Sequence, residues 1–558
     1  MTKKRVVIVG GVAGGATCAA RLRRLDEGAE IVVLDRGPYV SFANCGLPYY
    51  VGNVIQEEAK LLLATPELFR ERFNIEVRTR NEVTAIDRQA CDVLVRELEA
   101  ARDYREHYDA LVLSPGAAPI RPPLPGIDHP GIFTLRTIPD SRAIREWIES
   151  RGARRAVVVG GGFIGLEMAE NLVHRGLDVT IVEMADQLMP PLDAEMAEFV
   201  RRRVATHTAH LQLGDGVAGF EQAGDGSLVV RTERGGSFGA DLVILAIGVR
   251  PESKLAREAG LEIGERGGIR VDPQMRTSDP RIWAVGDAVE VKNRVIDQWE
   301  LIPLAGPANR QGRVAADVIS GRDSRFKGVQ ATAVCGFFGL TVALTGATEK
   351  ALRRAGIGDF ESIYLHPGHH AGYYPGAKPV HLKLVFRRSD GLVLGAQAVG
   401  EEGVERRIDV ISTAIQMGAT VFDLEEAELC YAPQYGAAKD PVNLAGMIAA
   451  NVVRGDVDLA PWSELHTAEA FLLDVREPAE FHAGCLDGAV NIPLGQLRDR
   501  MDELPRNRQI WINCGVGQRA YYACRLLSQH GFRVSNLSGG YHTYRAWYPE
   551  DRVHHGTT

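Results

Sequence analysis

Twice in its 558 residues the chain runs from an apolar strand through a glycine-rich turn and a helix into a second apolar strand that ends on an acid. The first copy reads Val6-Val7-Ile8-Val9, then Gly10-Gly11-Val12-Ala13-Gly14-Gly15, an alanine- and arginine-rich helix, and Ile31-Val32-Val33-Leu34-Asp35. The second reads Ala156-Val157-Val158-Val159, Gly160-Gly161-Gly162-Phe163-Ile164-Gly165, a helix, and Val179-Thr180-Ile181-Val182-Glu183. Strands this apolar are expected inside parallel sheets covered by helices. The tight turn at the strand's end lays the helix N-terminus, with its free N–H groups, against an anion such as a pyrophosphate. The terminal acid can then accept ribose hydroxyls, so two dinucleotide sites are implied. The first copy departs from the usual pattern because Val12 takes the middle glycine position. After Glu183 come Met184 and Ala185, with no cation for a 2′-phosphate, so the second site favours NADH over NADPH.

Other features bound the remainder. The length gives a prior of about three to four domains. A net charge of -8 spread along the chain excludes the basic face that nucleic acid requires. No apolar run approaches the roughly 20 residues of a membrane span, and the first strand begins too early for an export signal. Eight scattered cysteines do not make a disulfide scaffold, and a reducing cytoplasm is expected. Two strand-and-glycine signatures, ending at Gly116 and Gly248, are expected at crossovers between domains. Residues 329–450 read as a separate α+β domain, 451–463 as a polar linker, and 464–558 as a last α/β unit. His366, His369 and His370 cluster without completing a metal-ligand set, so surface histidines and no metal are expected.

Cys45 follows Asp35 by ten residues, and no second cysteine lies near it at dithiol spacing. Such a thiol must pair with sulfur from outside. The run Ser41-Phe42-Ala43-Asn44-Cys45-Gly46 resembles the single-cysteine branch of the pyridine nucleotide-disulfide oxidoreductases, and the resemblance extends over residues 1 to about 450. It implies FAD at the first turn, held by Gly10, Val12, Ala13, Gly14, Gly15, Asp35, Arg36, Asn44, Cys45, Gly116 and Gly248, and by Gly286 and Asp287 of a second flavin motif. NADH is implied at Gly160, Gly162, Phe163, Ile164, Gly165 and Glu183. The FAD domain is then discontinuous, 1–118 with 245–328, and the NADH domain is 119–244. Cys45 would lie at a helix N-terminus beside the flavin, a setting that lowers a thiol's pKa, and Pro48 agrees with a helix's first turn. Oxidases and peroxidases of this branch resemble the first turn but carry histidine where this chain has Ala13.

Thr17, Arg21, Arg24, Ser41 and Asn44 match the positions that bind coenzyme A in the branch's disulfide reductases. Tyr373 and Tyr431 resemble a tyrosine pair that the dimerisation domain gives to the partner's active site, with Tyr374 and Tyr435 as the alternative members and as ordinary core tyrosines otherwise. A homodimer with shared sites is implied. Residues 464 to about 550 resemble a rhodanese domain. Their loop Cys514-Gly515-Val516-Gly517-Gln518-Arg519 would surround a persulfide with backbone N–H groups, and Arg519 would either anchor the loop or touch substrate. The four-residue gap is shorter than in related phosphatase loops.

The expected architecture is α/β, with two Rossmann-like dinucleotide-binding domains, an α+β dimerisation domain and a C-terminal rhodanese α/β domain. The expected activity is NADH-dependent reduction of coenzyme A persulfide, polysulfide or coenzyme A disulfide through Cys45, with the C-terminal domain carrying sulfane sulfur on Cys514. An NADH oxidase or peroxidase, and a redox-sensing docking protein, are the alternatives.

Overall fold

A computed structural model describes residues 3–549. They form two compact units: one gathers the chain up to Asp186 with Thr208–Val329, the other gathers Gln187–His207 with the chain from Gln330 onward.

In the first unit, strand Arg5–Val9 lies between Glu30–Asp35 and Ala110–Leu113, and Glu76–Thr79 and Ile282–Ala284 complete a five-stranded parallel sheet. Val6, Val7 and Ile8 are wholly buried, as a central parallel strand requires. A second parallel sheet repeats the plan around Arg155–Val159, flanked by Asp178–Glu183 and Leu242–Leu245. Just after Gly116 and Gly248 the chain forms Ala117–Pro119 and Val249–Pro251, which pair antiparallel with each other. That ribbon is the crossover the two glycine signatures pointed to.

The second unit holds a five-stranded antiparallel sheet, in the order Ala333–Phe337, Leu340–Gly346, Val393–Gly400, Val380–Phe386, Glu361–Leu365. It also holds a four-stranded parallel sheet of Val490–Asn491, Phe471–Asp474, Ile510–Asn513 and Val534–Asn536. One apolar cluster runs unbroken from Ile363 and Leu384 through Val457 to Leu473, Ile512 and Cys514.

Three expectations change. The segment 451–463 is no polar linker: the helix Pro441–Val453 enters it, and Val457, Ala460 and Trp462 are buried. The helix Ala194–Ala205, read as part of the NADH domain, belongs to the second unit. Its first turn carries Glu195, and Asp193 precedes it. Both bond the buried Lys383 Nζ, at 2.5 and 2.8 Å, with Glu349 at 2.9 Å. A buried ammonium is tolerable only when matched this closely, which fastens the helix to the antiparallel sheet. Finally, the histidines are not on the surface. His369 and His370 are buried, and His366 lies in a cluster with His381 and His542, its Nδ1 2.9 Å from His381 Nδ1 and its Nε2 2.8 Å from Thr543 Oγ1. The parts of the expected terminal domains at 1–2 and 550–558 lie outside the described residues.

Candidate functional site

The first glycine turn opens on a cleft of about 900 Å³ lined by Val12, Ala13, Asp35, Arg36, Asn44, Gly116 and Asp287, with Gly10, Gly14 and Gly286. Val12 has φ -93°, so no glycine is needed there and the turn forms despite the departure. Gly15 stands under the turn, where a Cβ would come within 1.9 Å of the Gly10 carbonyl oxygen. Asp35 accepts the N–H groups of Gly11 at 2.9 Å and Gly37 at 2.8 Å, and burial raises its carboxyl. Among the described residues no donor bonds the Asp287 carboxylate, and burial raises it too. A large cleft lined by glycines and by an unpartnered, half-buried carboxylate suits a long dinucleotide bearing hydroxyls. Gly248 does not line the cleft; it sits at the start of the crossover ribbon.

The second turn repeats this arrangement. Gly161 N–H donates to Glu183 Oε2 at 2.6 Å, and the helix Phe163–His174 starts directly after Gly162. A Cβ at Gly162 would meet nothing within 4 Å, so the approach to the helix start is open.

Cys45 lies in a single 3-10 turn, Asn44–Gly46, that leads into the helix Leu47–Val51 with Pro48 in its first turn. Ser41 fastens this loop to the glycine turn, its N–H donating to the Gly11 carbonyl at 2.8 Å. Phe42 and Asn44, three residues and one residue before Cys45, line the cleft. The residue is exposed, yet its thiol is raised and not lowered. Desolvation is the main cause, and the carboxylates of Glu167 and Asp287 add to it. Among its neighbours Glu167 was missed from sequence. It lies two residues past Gly165, accepts a 3.5 Å contact from Tyr49 Oη, and is pushed up to about 7 by burial. Arg136 was missed as well. It lines the cleft and donates to the Pro115 carbonyl at 3.0 Å and Glu252 at 2.9 Å, while Arg36 meets Glu252 from the other side at 2.8 Å.

The residues matched to coenzyme A come together only in part. Thr17 Oγ1 donates to Asn309 Oδ1 at 2.5 Å, and Arg21 pairs with Asp317 at 2.8 Å. Arg24 is exposed. Asn309 and Asp317 both lie on the helix Ala305–Ile319, which packs along Ala13–Leu25. Only tertiary structure makes them neighbours of Thr17 and Arg21.

In the second unit the hydroxyls of Tyr373 and Tyr431 meet at 2.7 Å, and that hydrogen bond raises the Tyr373 phenol. Both are exposed, and so are Tyr374 and Tyr435, which are therefore not core tyrosines. Cys514 ends strand Ile510–Asn513 with its side chain fully buried. Its Sγ accepts the Gly517 N–H at 3.1 Å, and its carbonyl accepts the Tyr541 N–H at 2.7 Å. Of the several N–H groups expected around this sulfur, Gly517 is the one that bonds it among the described residues. Arg519 is held in a fork by Glu480, Nη1 to Oε2 at 2.6 Å and Nη2 to Oε1 at 2.7 Å. The guanidinium holds the Glu480 carboxyl down to about 2. Cys524 is buried and Cys485 half-buried.

Residues 4–312 match the pyridine nucleotide-disulphide oxidoreductase family, 332–440 its dimerisation domain, and 462–546 the rhodanese-like domain. A coenzyme A disulfide reductase of Staphylococcus epidermidis is 37% identical over 448 residues, which is 79% of this chain and 99% of that protein. The reduced CoADR-RHD of Bacillus anthracis is 48% identical with a TM-score of 0.96, covering 99% of each chain. A NAD-dependent persulfide reductase from A. fulgidus is 37% identical with a TM-score of 0.90, covering 97% of this chain and all of the other.

Proposed function

Because the chain belongs to the pyridine nucleotide-disulphide oxidoreductases, a family that implies FAD and NAD(H), we propose that it is an NADH-dependent reductase of coenzyme A persulfide, polysulfide and coenzyme A disulfide with a rhodanese domain that carries sulfane sulfur. The observation that carries this reading is the exposed Cys45, bonded to no other cysteine, in the loop that Ser41 fastens to the first glycine turn. FAD in that cleft and NADH against the second turn supply hydride and electron transfer when bound.

The protein's own residues do the rest. Asp35 and Asp287 offer carboxylates to ribose and polyol hydroxyls, and Glu183 does the same for NADH while discouraging a 2′-phosphate. Cys45 attacks the outer sulfur of a persulfide or one sulfur of a disulfide, and a thiolate leaves. Tyr373 and Tyr431 hold two protons at their hydrogen-bonded hydroxyls, one of them suited to a departing thiolate, and are given to the partner in a homodimer. Thr17, Arg21, Arg24, Ser41 and Asn44 hold the coenzyme A arm, joined by Asn309. Arg21 must exchange Asp317 for phosphate to take part. Ala13 leaves the cleft without the histidine that peroxide chemistry uses in this branch. The setting proposed is the cytoplasm, with small-molecule substrates and neither nucleic acid nor membrane as partner.

Anaerobic NADH consumption with each of the three sulfur substrates tests the proposal. Sulfide release from a persulfide in the wild type, lost in Cys45→Ser while NADH still bleaches the bound flavin, is the expected result. Undiminished turnover in Cys45→Ser would remove the proposal.

A further inference from the structure

The loop of Cys514 has one cation, and that cation is taken. Between Cys514 and Arg519 stand Gly515, Val516, Gly517 and Gln518, all neutral. Both terminal nitrogens of Arg519 are occupied by Glu480, and the pair lies over the start of the loop: a Cβ on Gly515 would sit 3.4 Å from Arg519 Nη2 and 3.9 Å from Glu480 Oε1. The next guanidinium, Arg476, is no freer. It is buried, forked onto Asp474 at 2.8 and 3.0 Å, bonded to the Glu480 and Gly484 carbonyls, and stacked over the Tyr541 ring. By contrast, organic surface is exposed at the loop, in Val516 and in Tyr522, whose hydroxyl accepts the Gln518 amide at 2.9 Å.

We infer that the Glu480–Arg519 pair sets the donor specificity of Cys514, closing it to small inorganic oxyanion donors such as thiosulfate and reserving it for organic thiol persulfides. The inference rests on the reading that Cys514 accepts sulfane sulfur. A dianion entering a buried site must shed water, and backbone N–H groups offset that cost for two charges less well than an unpaired cation does. Thiosulfate finds no unpaired cation on the loop itself. A thiol persulfide presents at most one charge at its reacting end, and its carbon body rests on Val516 and Tyr522. The Cys514 thiolate attacks its outer sulfur, a new sulfur–sulfur bond forms on Cys514, the old one breaks, and the donor leaves as its thiolate. The outer sulfur keeps its proton and no net electrons move.

The test uses the full chain in a Cys45→Ser background, treated without oxygen with glutathione persulfide or thiosulfate and read by intact mass for one added sulfur on Cys514, with Cys514→Ser as control. Wild-type Glu480 protein is expected to load from the persulfide and barely from thiosulfate. Glu480→Gln leaves Arg519 uncompensated, and its thiosulfate loading is expected to rise roughly tenfold or more, in a salt-sensitive manner, with persulfide loading kept. Gln518→Lys adds an exposed cation without touching the pair and is expected to give a smaller gain that salt removes. Equal loading of the wild type from both donors overturns the inference and leaves Cys514 as an acceptor. So does either variant that loads from persulfide without gaining thiosulfate. Loading from neither donor in the wild type overturns the acceptor reading itself, and the inference with it.

Discussion

A thiol faced by two carboxylates ionises later than one beside a cation, and Cys45 is in the first situation through Glu167 and Asp287. Removing one of these charges moves the thiol down: Glu167→Gln is expected to shift the pH of half-maximal Cys45 alkylation lower by about one unit or less, measured with iodoacetamide on flavin-free protein. The same change has a sign for stability. Glu167 titrates near 7 when folded and near 4.5 ordinarily, so the unfolded chain loses its proton first, and stability falls as pH rises between those values. Glu167→Gln removes that slope in thermal melts. At the other sulfur, backbone conformation decides. Gly540 has φ +61°, and a Cβ there would stand 2.3 Å from the Cys514 carbonyl oxygen. Gly540→Ala is expected to cost about 1–3 kcal/mol in denaturant melts and to abolish sulfur loading at Cys514.

At the level of elements, the histidine seam joins strands Glu361–Leu365 and Val380–Phe386 to the helix Gly540–Trp547. Burial lowers His381 to about 4, with His542 and Arg202 adding to it, and holds His366 well below its ordinary value. Between pH 6.5 and 4 the unfolded chain therefore binds protons that these rings refuse, and the second unit loses stability as pH falls through that window. His381→Phe can keep the stack on Phe199, whose ring lies 4.0 Å away. Its melting temperature is expected to depend less on pH, by an amount on the order of 2 kcal/mol across the window. Nothing in the local sequence announces this seam. The glycine turns, by contrast, were legible in full because strand, turn and helix are set by neighbouring residues, and even Val12 was harmless at a negative φ. The Ala194–Ala205 helix, expected within the NADH domain, packs with the second unit because its anchor, Lys383, lies 188 residues beyond Glu195. Asn309, Arg136 and Glu167 escaped for a related reason: each becomes part of the site only when separate helices and loops are brought together. The tyrosine pair was legible through the family resemblance alone, and their 2.7 Å contact is information that spacing does not contain.

For the molecule as a whole, four tyrosines left exposed on one domain suit burial against a second copy, since aromatic side chains are enriched at such interfaces. Sedimentation is expected to give a dimer. Tyr373→Phe and Tyr431→Phe are each expected to slow substrate turnover roughly tenfold or more while leaving the rate of flavin reduction by NADH unchanged, as stopped-flow absorbance would read. The unbroken apolar cluster through Val457 has a practical consequence for anyone dissecting this chain. Scissors placed before the last strand-rich segment cut through oil and not through string, so the severed piece would expose a greasy wound and precipitate, whereas a piece beginning near Gln330 would still lack the helix that Lys383 grips.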